Sequence, residues 1–190
     1  TLGSYYGLHK LGKPVFAKIA LILMSFWFYG YFNPNYLWIM CSSIIVNYLL
    51  SQLLQRKWEM SAAQIAVLKK SLLAIGLIFN LGLIFYFKYY DFFVDNLNKV
   101  FSTDFQLKNI VLPLGISFFT FQQVSYMVDS YRGETKEYNF ADYALFVTFF
   151  PQLIAGPIVL HNEVLPQFED KNNWKINWDN MAHGLYMFAA

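Results

Sequence analysis

The chain has 190 residues, of which 57% are apolar, 21% aromatic and only 14% charged, against about 25% charged in an ordinary soluble domain. That deficit argues against a soluble enzyme, and 20 Phe, 14 Tyr and 5 Trp are too many aromatic residues for a disordered chain. Length allows about one domain, so where the charges fall says more than how many there are.

The chain opens at Thr1 without an initiator methionine and stops at Ala190 inside the apolar run MAHGLYMFAA, so a piece of a longer protein is expected. Between Lys18 and Arg56 lie 37 consecutive residues without Asp, Glu, Lys or Arg, enough for two membrane crossings if a turn divides them. Asn33, Pro34 and Asn35 supply that turn. The first span runs from Ile19 to Phe32, with Lys18 at its edge placed to snorkel its ammonium to the headgroups. Tyr36 to Leu54 is the second, and its Ser42, Ser43 and Asn47 mark a helix-helix contact.

The following loop holds Arg56, Lys57, Lys69 and Lys70 against a lone Glu59, and the amino-terminal stretch adds Lys10, Lys13 and Lys18. By the positive-inside tendency both lie on the cytoplasmic side. Ser71 to Phe87 then crosses outward. Beyond it, FFVDNLNKVF has the pattern of a short amphipathic helix along the interface.

The fourth segment, NIVLPLGISFFTFQQVSYMVDSYRGE, carries Pro113, Gly115, Ser117, Thr120, Gln122, Gln123, Ser125 and Tyr126 in its interior. A stretch this polar must face protein or a wet cavity at membrane depth, so its side chains either line a passage or bond to neighbouring helices. Asp129 and Arg132 are spaced for a short-range ion pair closing the segment. The fifth, from Phe140 to Leu160, contains Pro151, Gly156 and Pro157, which predict a broken helix or re-entrant loop. FEDKNNWKINWDN, with Trp174 and Trp178 four residues apart, reads as an interfacial helix. The fold class is therefore all-α, a polytopic integral membrane protein with interfacial helices and one broken or re-entrant segment.

Phosphate-cradling glycine loops, a His-Glu-x-x-His pattern and a basic, aromatic-interleaved patch are all missing, so nucleic acid is not an expected partner. Cys41 is the single cysteine, which excludes an internal disulfide and a multi-cysteine metal cluster. His9 falls in the basic amino-terminal stretch and reads as exposed. His161 follows the broken segment and precedes Glu163, which makes it a candidate for proton transfer. His183 opens the last apolar run, where polar packing is the plainer account.

Taken together, PLGISFFTFQQVSYMVDSYRGE (Pro113 to Glu134) and FFPQLIAGPIVLHNEVLPQF (Phe149 to Phe168) resemble the membrane-bound O-acyltransferase family, nearest to its bacterial alginate O-acetyltransferase-like branch. The resemblance implies that residues 1–190 are the amino-terminal portion of one such domain. Matching its first signature are Pro113, Leu114, Gly115, Ser117, Phe118, Thr120, Phe121, Gln122, Tyr126, Asp129, Tyr131, Arg132 and Gly133; matching its second are Pro151, Ala155, Gly156, Pro157 and Ile158. These are read as channel-lining or structural residues, while the family's catalytic histidine is expected after Ala190.

The implied activity is transfer of an acyl group, with acetyl the first choice, to hydroxyls of an extracytoplasmic cell-envelope polysaccharide, in the bacterial cytoplasmic (inner) membrane. No tightly bound cofactor or metal is expected; the acyl donor is a co-substrate. The implied partners are the polysaccharide acceptor, the acyl donor or an acyl-carrier protein, an envelope-modification complex and the lipid bilayer. Two other readings stand beside it. A polar fourth and broken fifth segment also suit a transporter or flippase for an envelope precursor, and the cytoplasmic loops suit a scaffold that receives a partner enzyme.

Overall fold

The computed structural model describes residues 1–156 and 159–189. Among them are ten α-helices and no strand: α1 (Leu2–Lys10), α2 (Pro14–Phe32), α3 (Pro34–Gln55), α4 (Ala62–Ile84), α5 (Tyr90–Phe101), α6 (Ile116–Arg132), α7 (Phe140–Thr148), α8 (Phe150–Ala155), α9 (His161–Glu169) and α10 (Trp178–Ala189). The α2–α3 turn forms as its sequence predicts. Asn33 Oδ1 accepts from the Asn35 amide at 3.1 Å, and Pro34, which has no N–H to lose, takes the first helical position. At the other end of the hairpin, Ser61 and Gln64 form a capping box that starts α4.

Among the described residues, three helical stretches are long and apolar enough to cross a membrane: Pro14–Phe32, Pro34–Gln55 and Ala62–Phe101. The third is a bent rod in which α4 passes through a wider, π-helical turn (Phe85–Tyr89) into α5 without a loop. Trp27, Trp38 and Ile78 are 71%, 79% and 71% exposed, which suits a lipid-facing surface and would be costly in water. The expected amphipathic helix is α5, with Asp95 and Lys99 paired at 2.6 Å along its polar side.

The core is built around α6, which packs against α3, α4 and α7. Ile116, Phe119 and Tyr126 meet Met40 and Ile44 from α3 and Tyr143 and Phe146 from α7. Gly76 lets α4 come close: a Cβ there would collide with the Met127 sulfur. Small residues serve this purpose between membrane helices, where packing replaces the hydrophobic effect.

Two sequence expectations need correction here. Lys18 does not send its ammonium to the headgroups; its Nζ donates to Asp142 Oδ1 at 2.5 Å, because α7 begins within reach of α2. The stretch around Trp174 and Trp178 is not one interfacial helix. Asp170 Oδ1 accepts from the Asn172 amide and starts a 3₁₀ turn (Lys171–Trp174), while Asn177 Oδ1 accepts from the Asn180 amide and starts α10. Two side-chain caps in quick succession begin two elements, so the tryptophans share no helical face.

Candidate functional site

The first signature occupies α6 and the chain leading into it. Gly115 (φ +66°) precedes the helix and Gly133 (φ +77°) ends it, both in the left-handed region where a Cβ costs about 1–2 kcal/mol. The extended segment before Pro113 is held by Asp91 of α5, whose carboxylate accepts from the Lys108 amide at 2.8 Å and the Ile110 amide at 2.9 Å. Pro113 itself is buried and its carbonyl accepts from the Ile116 amide. The two amide partners of Asp91 are 17 and 19 residues along the chain and are invisible without the fold.

Helical periodicity divides α6 into two polar stripes. Thr120 and Gln123 share one, and both are fully buried. On it, Gln123 Oε1 accepts from Ser43 Oγ at 2.7 Å and from Asn47 Nδ2, and Asn47 in turn exchanges bonds with Asn80 of α4, the shorter being Asn80 Nδ2 to Asn47 Oδ1 at 2.6 Å. Four polar side chains thus tie α3, α4 and α6 together. Ser43 and Asn47 are the helix contact expected of the second span, whereas Ser42 is exposed and its hydroxyl donates to the Ile39 carbonyl of its own helix. Asn80 is the partner that sequence reasoning missed, although a lone amide in the apolar run SLLAIGLIFNLGLIF was its signal.

The second stripe runs through Gln122, Tyr126 and Asp129 toward α7 and α9. Here Asp129 Oδ2 lies 3.5 Å from His161 Nδ1, too far for a good hydrogen bond but close enough to matter electrostatically. The imidazole is 3% exposed and is met edge-on by Tyr126 at 5.1 Å, Tyr138 at 6.0 Å and Phe146 at 6.3 Å. Asp129 therefore faces His161 rather than the expected Arg132, which is exposed and makes no ion pair with it among the described residues. Glu163 turns away from His161, its carboxylate accepting from the Leu160 amide at the start of α9.

Burial holds the His161 imidazole below its ordinary value, against an opposing pull from Asp129. A lowered folded pKa means that the unfolded chain takes up its proton first. The contribution of neutral His161 to stability is thus complete above about pH 6.5, the unfolded value, and is lost as pH falls through the lowered folded one. His161→Phe keeps a ring in the aromatic box and removes the titration. It is expected to flatten the acid side of a plot of thermal midpoint against pH for the complete protein in detergent. Parallel curves for the variant and the original would assign that acid loss to other groups.

The remaining first-signature residues are more scattered. Ser117 is half-buried, with Lys88 Nζ 3.4 Å from its hydroxyl. Phe118 is half-buried as well, and Gln122 is 5% exposed. Thr120 Oγ1 is buried with no hydrogen-bond partner among the described residues.

The second signature forms the expected broken segment. α7 ends at Thr148, Phe149 leaves helical geometry (φ −55°, ψ 98°), and Pro151 sits in the first turn of α8. Gly156 caps α8, and a Cβ there would stand 2.9 Å from the Gln152 Cα, so no other residue fits without moving backbone. Pro151, Gln152 and Gly156 line a cavity of about 780 Å³ shared with Tyr5, Phe149 and Phe168. Pro157 and Ile158 lie outside the described residues.

Of the other histidines, His183 is exposed on α10. His9 is buried, contrary to expectation, because Trp174 stacks on it at 4.7 Å and Tyr5 meets it edge-on at 4.5 Å. Among the described residues no three His, Cys, Asp or Glu side chains gather to hold a metal ion.

A bundle of apolar helices, braced by buried amides and holding a polar helix beside a broken one, defines a polytopic membrane protein. The chain belongs to the membrane-bound O-acyltransferase (MBOAT) family, which it matches over residues 71–190. It is 39% identical to a peptidoglycan O-acetyltransferase of Helicobacter pylori over 98% of this chain and 39% of the relative. It is 31% identical to the probable alginate O-acetylase AlgI of Pseudomonas aeruginosa over 98% of this chain and 35% of the relative, and equally identical to that of Azotobacter vinelandii, over 98% and 37%. The chain thus spans a little over a third of the length of these relatives. No solved structure matches it. With bacterial relatives throughout and several membrane-crossing helices, it is a multi-pass protein of the bacterial inner membrane.

Proposed function

We propose that the complete protein transfers an acetyl group to hydroxyls of an extracytoplasmic cell-envelope polysaccharide, and that residues 1–190 supply part of the bracing of its passage. The observation that carries this reading is similarity along 98% of the chain to relatives whose names specify O-acetyl transfer, to peptidoglycan in one case and alginate in the other. The higher identity with the former makes peptidoglycan the first acceptor to test.

In this reading a histidine beyond Ala190 is the general base. It takes the proton of the acceptor hydroxyl as the oxygen attacks the carbonyl of a thioester donor; the C–O bond forms, the C–S bond breaks, and the proton passes to the departing thiolate. Ser117, Thr120 and Gln122 line or brace the passage, and Pro113, Gly115, Phe118, Tyr126, Asp129, Arg132, Pro151, Gly156 and Pro157 hold its shape. A fixed passage replaces a collision between donor and acceptor by a positioned encounter.

The test is to express the complete protein in a strain lacking its own envelope O-acetylation and to measure acetate released by mild base from purified envelope polymers. Ester acetate on peptidoglycan, lost when the downstream histidine is changed to alanine, is the expected result. Unchanged acetate in every polymer would overturn the reading. Thr120→Val keeps the side-chain volume and removes the hydroxyl; a several-fold fall in transfer at unchanged protein level is expected, and full activity would reassign Thr120 to packing.

A further inference from the structure

A second concave surface lies between α1 and the segment from Lys171 to Met181, beside the cavity that Pro151 and Gly156 line and sharing Tyr6, Lys175 and Met181 with it. It is a groove of about 1000 Å³. Its polar rim carries Lys10, Lys171 and Lys175, and no carboxylate is among the residues that line it. The walls are apolar or aromatic, with Tyr6, Trp174 and Trp178 prominent. The three lysines are exposed and none makes an ion pair among the described residues.

His9 adds an independent observation. It lines the groove, is 8% exposed, and neither ring nitrogen has a hydrogen-bond partner among the described residues. A buried imidazole without a partner is costly unless something binds it. Stacking on Trp174 fixes the ring at the groove wall.

The position of the groove identifies its ligand. α1 leads directly into α2, so the groove lies at the end of the bundle that also carries Lys13, Arg56, Lys57, Lys69 and Lys70, the cytoplasmic end by the positive-inside tendency. That leaflet presents anionic headgroups at the depth where tryptophan and lysine settle. A soluble anion would meet the lysines but leave the apolar walls wet. An anionic amphiphile satisfies both.

We propose that this groove binds an anionic phospholipid of the cytoplasmic leaflet, with its phosphate against Lys10, Lys171 and Lys175 and its acyl chains along Tyr6, Trp174 and Trp178. The lipid couples α1 to the segment that follows α9 and supplies the hydrogen-bond partner that His9 lacks. This site needs no acyl transfer, so its test does not depend on the proposed activity.

The complete protein, in detergent, is titrated with phosphatidylglycerol and with phosphatidylcholine, and bound lipid is counted by native mass spectrometry. Phosphatidylglycerol is expected to be retained in preference. Lys10→Gln/Lys171→Gln/Lys175→Gln should weaken that retention about 10- to 100-fold and leave phosphatidylcholine unaffected. Lys57→Gln/Lys69→Gln/Lys70→Gln removes the same charge from the same side and should change nothing, with equal thermal midpoints showing that both variants fold. Equal losses in both triple variants would reduce the effect to surface potential and overturn the site. So would equal retention of the two lipids, or displacement of phosphatidylglycerol by soluble glycerol phosphate.

Discussion

Replacing Asp142 with leucine is expected to destabilise the complete protein by about 3–5 kcal/mol, the usual cost of stranding one member of a buried ion pair. Lys18 and Asp142 meet at 2.5 Å with side chains only 17% and 7% exposed. Taking Asp142 away leaves the ammonium either stranded against α7 or drawn out to the headgroups at the expense of the α2–α7 contact. Lys18→Met strands the carboxylate instead and should cost a similar amount, somewhat less if water reaches it. The double variant Lys18→Met/Asp142→Leu restores an apolar contact and should return to within about 1 kcal/mol of the original, because the pair is costly to break but adds little over a packed substitute. Unfolding free energies in mixed detergent, taken as a double-mutant cycle, provide the measurement. A double variant as unstable as either single one would show that lost packing, not stranded charge, sets the cost.

Asn47→Leu should have the next largest effect, about 2–3 kcal/mol, since it strips a bond from the buried Gln123 Oε1 and leaves Asn80 Oδ1 without its donor. Asn47 touches three elements at once, bonding Gln123, Asn80 and the Ser43 carbonyl of its own helix. Single interhelical hydrogen bonds in membranes average only about 0.6 kcal/mol, so a loss of this size requires the group to act as a unit. Asn80→Leu tests that directly. Within a unit, the double variant Asn47→Leu/Asn80→Leu should cost clearly less than the sum of the single ones. Additive costs would mean that these are separate contacts that happen to adjoin.

The crossings and turns were legible in the sequence because each has a local cause. Asn33-Pro34 caps and starts a helix wherever it occurs, and Pro151 breaks α7 at Phe149 without help from other elements. The family was legible for a related reason, since its signatures are contiguous runs. What was lost in the sequence is long-range. Lys18 is 124 residues from Asp142 and Gln123 is 80 from Ser43; nothing near either lysine or glutamine names its partner. Asp129 shows the hazard of local reasoning, for Arg132 is nearest along the chain while His161 is nearest in space. His9 was misread in the same way, because Trp174, which covers it, arrives only with the fold.

The separation between Lys18 and Asp142 also bears on how the protein is made. At about 5–20 residues per second, synthesis of the intervening 124 residues takes about 6–25 s. For that interval α2 rests in the bilayer with its lysine unanswered, and the ammonium must reach up to the headgroups until α7 emerges. Snorkelling thus describes the nascent chain, and the ion pair the finished one. Until Asp142 arrives the contact of α2 with α7 cannot form, whereas α3, α4 and α6, whose buried amides all precede residue 142, are already free to assemble.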